Sequence, residues 1–162
     1  MMRELERSLP TAQIGEGARF VVEANEAELR AVAARLGLDA VRHLRCVFDL
    51  RGAEEGAVRA DGTLRARVVQ TCVISLEPFE SDVIEDFRVR FVPAGTESED
   101  IELEADDEIP YEGNRLELGE AAVEQLALAL DPFPHKPDAE LPVAEQAATG
   151  PFAALARLRT RQ

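Results

Sequence analysis

The sequence predicts an α+β protein, an antiparallel β-sheet built as a meander, with the option of curling into an open barrel, flanked by two main helices. Two observations carry this reading. Residues 25–37 repeat their apolar side chains with a helical period, and residues 41–91 alternate apolar and polar with a period of two. A third is the rhythm of the connections. Three strand-like runs follow one another through short turns, which marks a meander rather than βαβ units.

The first helix is the best punctuated element. In NEAELRAVAARLG, Asn25 is a strong N-cap, Glu28 completes a capping box, and Gly37 stands where a C-terminal stop belongs. Leu29, Val32, Ala33 and Leu36 form its apolar face. The run VRHLRCVFDL then alternates, with Leu44, Cys46, Phe48 and Leu50 on one parity. After the RGAEEG turn, Val58, Ala60, Leu64, Ala66, Val68 and Cys72 share one parity, and Arg59, Asp61, Arg65 and Arg67 share the other. Because the phase survives Gly62, a long strand with a kink or bulge there is preferred to a hairpin at Asp61-Gly62. Leu76-Glu77-Pro78 stops that strand, and SDVIEDFRVRF supplies a third.

Residues 95–112 form an acidic connector, expected to be extended and mobile because like charges repel and apolar anchors are few. Within it Ile101 and Leu103 offer a short edge strand. The second main helix is expected over Gly119–Leu130, closed by Pro132 and Pro134. A linker and a short basic C-terminal helix, opened by Pro151 with Phe152, Leu155 and Leu158 apolar, complete the chain. The expected division is one α+β domain over 1–135, including the connector, and a linker with the C-terminal helix over 136–162.

A chain of 162 residues can bury roughly 70% of its unfolded surface, so one core suffices. Its net charge of −14 disfavours broad contact with a phosphate backbone and favours basic protein partners. That charge is uneven. Residues 1–91 carry 13 basic and 16 acidic side chains, residues 92–150 carry 2 and 16, and residues 151–162 carry Arg157, Arg159 and Arg161 with no acid. Two cysteines are too few for a disulfide-stapled scaffold, the N-terminal MMRELERSLP has no signal-peptide core, and no apolar run approaches membrane-spanning length. A cytoplasmic protein without membrane contact is expected.

The chemistry candidates are few. Cys72 has Ser75 where a second zinc-binding cysteine would stand, and its parity suits a small buried hydrophobe, as does that of Cys46. His43 and His135 offer no reason to act as a base for it. No P-loop, nucleophile elbow or dinucleotide fingerprint occurs. No cofactor, metal or catalytic residue is therefore assigned. Arg59, Arg65, Arg67, Arg88 and Arg90 are candidate anion or RNA contacts on the solvent face, with Arg157, Arg159 and Arg161. The alternative is cross-strand pairing with Asp61, Asp82 and Asp86. Glu97, Glu99, Asp100, Glu102, Glu104, Asp106, Asp107 and Glu108 are candidate contacts for a basic partner.

The blocks GTLRARVVQTCVISLEPFESDVIEDFRVRF, LELGEAAVEQLALALDPFPHKP and PFAALARL together resemble the YceD family, and NEAELRAVAARLGL is similar to the helix of its alphaproteobacterial members. The resemblance implies a role in accumulation of large-subunit ribosomal RNA. It marks Gly62, Cys72, Glu77, Pro78, Pro132, Pro134, Pro151 and Phe152 as structural family positions. Many relatives carry a cysteine pair where this chain has Cys72 and Ser75, so any metal role of that pair is not expected here. The expectation is a non-enzymatic ribosome biogenesis factor that binds a ribosomal protein or an rRNA-processing factor, with limited RNA contact. The alternatives are a general acidic adaptor or escort, and a hydrolase or nuclease built on carboxylates such as Asp106 and Asp107. The oligomeric state is not legible.

Overall fold

A computed structural model describes residues 3–99 and 105–141. Its strands are β1 (Ser8–Pro10), β2 (Ala18–Glu23), β3 (Ala40–Gly52), β4 (Val58–Thr71), β5 (Pro78–Pro93), β6 (Asp107–Tyr111) and β7 (Arg115–Glu117). Its helices are α1 (Glu26–Leu36), between β2 and β3, and α2 (Leu118–Ala129), after β7. The fold is α+β. The main sheet has the order β2-β3-β4-β5-β6, and β1 pairs with β7 in a separate two-stranded sheet.

The β2 to β5 portion is an antiparallel meander, as the alternation predicts. Two expectations need correction. The sheet does not close into a barrel, because β2 and β6 remain as its two edges. Nor is it wholly antiparallel, since β6 runs parallel to β5. Part of the acidic connector is therefore an ordered strand. Ile109 packs against the core and Tyr111 Oη donates 2.6 Å to the Gly56 carbonyl. Two inward side chains at alternate positions outweigh the charge around them. Ile101, Leu103 and the C-terminal helix with Pro151 and Phe152 lie outside the described residues.

The expected kink at Gly62 is also absent. Gly62 pairs in register with Phe48 on one side and Phe87 on the other, and the irregularity falls between Val41 and His43 instead. The glycine serves a close approach. A Cβ there would run into the Phe87 ring, which stands edge-on to Phe48 with centroids 5.7 Å apart. Pro78 opens β5 opposite Thr71, an acceptable first position for a residue lacking N–H.

Helix α1 forms where its caps demand. The Glu28 N–H donates 3.0 Å to Asn25 Oδ1, the Asn25 N–H donates 2.8 Å to Glu28 Oε2, and Gly37 takes φ +65°. Arg7 adds a bidentate contact to Glu28 at 2.8 and 3.0 Å, which ties the N-terminal segment to the same cap. Both helices contribute to one core with the inner sheet face, through Val32 and Ala33 of α1 and Leu118, Ala122, Val123 and Leu126 of α2. Gly119 lets α2 lie directly on the backbone at Leu5, where a Cβ would collide. Neither described helix packs on the outer sheet face.

Candidate interaction surfaces

Because successive side chains of β2 to β5 alternate between the core side and the outer side, the outer ones share one face in register. Arg51, Arg59, Arg90 and Glu108 form one row across the strands. Arg19, Asp49, Asp61 and Arg88 form the next, followed by Val21, Val47, Thr63 and Asp86. Then come Glu23, Arg45, Arg65 and Ile84, and finally His43, Arg67 and Asp82. All five strand arginines singled out in the sequence thus share one face. Arg19, Arg45 and Arg51 join them, and the parity of VRHLRCVFDLR was the signal for the last two.

The pairing expected as the alternative is real for part of the set. Arg67 pairs with Asp82 at 2.9 Å, Arg88 with Asp61 at 2.9 Å and Arg90 with Glu108 at 3.2 Å. Asp86 instead accepts from Thr63 Oγ1 at 2.8 Å. Among the described residues, Arg51, Arg59 and Arg65 have no carboxylate partner. A shallow hollow of about 620 Å³ holds Arg51, Arg59 and Arg90, with Glu54, Asp106 and Glu108 also lining it. Arg157, Arg159 and Arg161 lie outside the described residues.

The acidic side is differently built. A groove of about 810 Å³ between β6 and α2 is lined by Ile109, Tyr111 and Ala121, by Glu97, Glu108, Glu112, Glu117, Glu120 and Glu124, and by the cations Arg3 and Arg115. Arg3 pairs with Glu117 at 2.7 Å and Arg35 with Glu120 at 2.6 Å. Neither Glu112 nor Glu124 has a cation among the described residues. Glu124 is exposed as a residue, yet partial desolvation, and then the neighbouring Glu120 carboxylate, push its carboxyl above the usual range. The connector itself is partly self-satisfied, since Glu97 accepts from the Gly95 N–H and Glu108 from the Ser98 N–H, each at 2.7 Å. Glu99 and Asp107 are exposed, and Asp100, Glu102 and Glu104 lie outside the described residues. Glu112, Glu117, Glu120 and Glu124 were not singled out in the sequence, because they are spread over three elements. The Tyr111 carbonyl accepts from Ala94 of the β5 end, so by alternation the Pro110 backbone faces the open edge, where it offers no N–H to an incoming strand.

The two cysteines differ in kind. Cys46 is a buried strand residue whose thiol desolvation pushes up to about 12. Cys72 lies just past β4, in the turn that leads to β5. Its Sγ accepts from the N–H groups of Ser75 and Lys136 at 3.4 Å each. The turn backbone shuts it off from solvent without burying it deeply. Desolvation, which opposes ionisation, is outweighed by hydrogen bonds from Ser75, Lys136 and Ile74, and the thiol falls to about 6. The Val73 N–H donates 2.8 Å to the Pro134 carbonyl and Lys136 pairs with Glu77 at 2.8 Å, so the proline segment is strapped to this turn. Among the described residues no group of three or more His, Cys, Asp or Glu is placed to hold a metal, and Asp106 and Asp107 gather no further partner of that kind. No described helix is long and apolar enough to cross a membrane.

The model of the family described as large ribosomal RNA subunit accumulation protein YceD matches residues 60–159. The chain belongs to the YceD family. The match begins within β4 and takes in β5, β6, β7 and α2, so it includes Arg65, Arg67, Arg88 and Arg90, the Cys72 turn and most of the acidic groove. No curated protein and no solved structure matches the chain.

Proposed function

We propose that the protein supports accumulation of large-subunit ribosomal RNA as a binding factor, without catalysing a reaction. The family match over residues 60–159 carries the ribosomal part of this reading. The distribution of charge supports its mechanism. The groove between β6 and α2 suits a basic segment of a ribosomal protein or processing factor, with apolar side chains against Ile109 and Tyr111 and cations beside Glu112 and Glu124. RNA contact is confined to the outer sheet face and the arginines near the C-terminus. Deleting the gene and measuring precursor and mature large-subunit rRNA tests the reading. Accumulated precursor or depleted mature rRNA is expected, and an unchanged profile overturns it.

A further inference from the structure

Across the rows given above the outer sheet face carries eight arginines to six carboxylates, with Glu80 next in line opposite Val69. The chain as a whole is −14. No described helix covers this face, and its arginines are arranged in bars. Arg51, Arg59 and Arg90 stand directly opposite one another across three strands. Arg45 and Arg65 stand opposite one another in a second bar, with Arg67 one row further along. Like charges placed opposite across strands destabilise a sheet, so the sheet's own stability does not account for them. Arg59 and Arg65 are six residues apart along β4, which is about 20 Å. The row between them nearest the first bar neutralises itself through Arg88 and Asp61. The two rows between the bars hold Arg19, Asp49, Asp61, Arg88 and Asp86, so the cations concentrate in the bars, where they can meet two phosphate strands lying side by side.

The face also lacks what single-stranded binding needs. Phe20, Phe48, Phe79, Phe87, Phe91 and Tyr111 all share the inner parity of the sheet. No Phe, Tyr or Trp of the five strands is left to stack unpaired bases, the interaction on which such binders rely. Arginines without stacking rings read backbone and shape, the manner in which double-helical RNA is recognised. From these observations we infer that the outer face of the β2–β5 sheet binds the phosphate backbone of double-helical RNA, with Arg59 and Arg65, which have no carboxylate partner among the described residues, as its principal cations. This rests on the RNA part of the function proposed above.

The test uses the full chain and two fluorescein-labelled probes, an RNA hairpin with a stem of about 16 base pairs and a poly-uridylate strand of similar length. Anisotropy is recorded over a salt series. The hairpin is expected to bind at least about tenfold more tightly than the single strand. Arg59→Gln and Arg65→Gln are each expected to lower the slope of log affinity against log salt by about 1. Arg30→Gln, an equal loss of charge on α1, leaves both affinity and slope unchanged. Circular dichroism confirms that each variant is folded. Absence of hairpin binding, equal or tighter binding of poly-uridylate, or an equal effect of Arg30→Gln overturns the inference. Displacement of the hairpin by polyglutamate of the same charge also overturns it, and assigns the face to acidic polypeptides. Failure here with rRNA still altered in the deletion strain sinks this inference alone, whereas an unchanged rRNA profile sinks the functional proposal whatever the probes do.

Discussion

The outer sheet face and the β6–α2 groove are opposite not only in charge but in how that charge is held. The face is a flat product of one meander, and its arginines stand at positions dictated by strand register. The groove is assembled from β6, β7 and α2, and two of its glutamates are held by Arg3 and Arg35, brought in from the N-terminal segment and α1. A surface made by register survives as long as the sheet does. A surface made by packing is lost as soon as α2 shifts. The two can therefore be broken separately.

The largest effect is expected at Gly119. Its missing Cβ lets α2 rest on the backbone at Leu5, and backbone cannot swing aside as a side-chain tip can. Gly119→Ala must displace α2 or the N-terminal segment, and a loss of about 3 kcal/mol of stability is expected from overpacking of this kind. Urea unfolding measures it. Any surviving native state is expected to lose the groove while retaining the register of β3 to β5, which amide exchange distinguishes. An Ala variant as stable as the parent would show that α2 is not seated so closely.

The second effect concerns pH and sets the two cysteines against each other. The Cys72 thiol is lowered to about 6 in the fold against an ordinary value of 9.0, so the native state holds fewer protons than the unfolded chain between those values. Stability rises from pH 6 to pH 9 on its account and is lost as pH falls through about 6. Cys46 is raised to about 12, so above pH 9 the unfolded chain releases a proton that the native state keeps, and stability falls. Unfolding under reducing conditions across this range is expected to peak near pH 9. Cys72→Ala flattens the rising limb and Cys46→Ala the falling limb. A rising limb that persists in Cys72→Ala would assign it to another group.

Periodicity reached the meander, both helices and the shared face of the arginines, because each is a local pattern with one spatial solution. It did not reach β6. The strand DEIPY sits inside an acidic run, and its pairing with β5 is a parallel, non-local contact that only Ile109 and Tyr111 foreshadow. Gly62 was legible as special but not as to kind, since a bulge and a ring docked over bare backbone leave the same single glycine. The parity of Cys72 pointed to a small buried side chain, and the residue is buried. What no spacing rule supplied was the set of N–H donors that turns a packing residue into an acceptor. The groove was least legible, because its carboxylates come from distant segments and share no period.

The smallest effect separates cations committed within the sheet from those that are not. Arg67 holds Asp82, and both are largely solvent-exposed, so Arg67→Gln is expected to lower stability only slightly. Arg59 stands between Arg51 and Arg90 with no carboxylate partner among the described residues, so Arg59→Gln relieves a like-charge row. A gain of a few tenths of a kcal/mol is expected, within the range of cross-strand pair energies. Glutamine keeps the length and polarity of the side chain, so strand preference changes little. Precise denaturation midpoints at low salt measure the opposite signs, and added salt is expected to shrink both. A gain at Arg59 together with the lost RNA affinity would mean that the residue is held at a cost to stability for the sake of a ligand. A loss at Arg59 equal to that at Arg67 would make it an ordinary sheet arginine, and the contrast between the two surfaces would then be one of geometry alone.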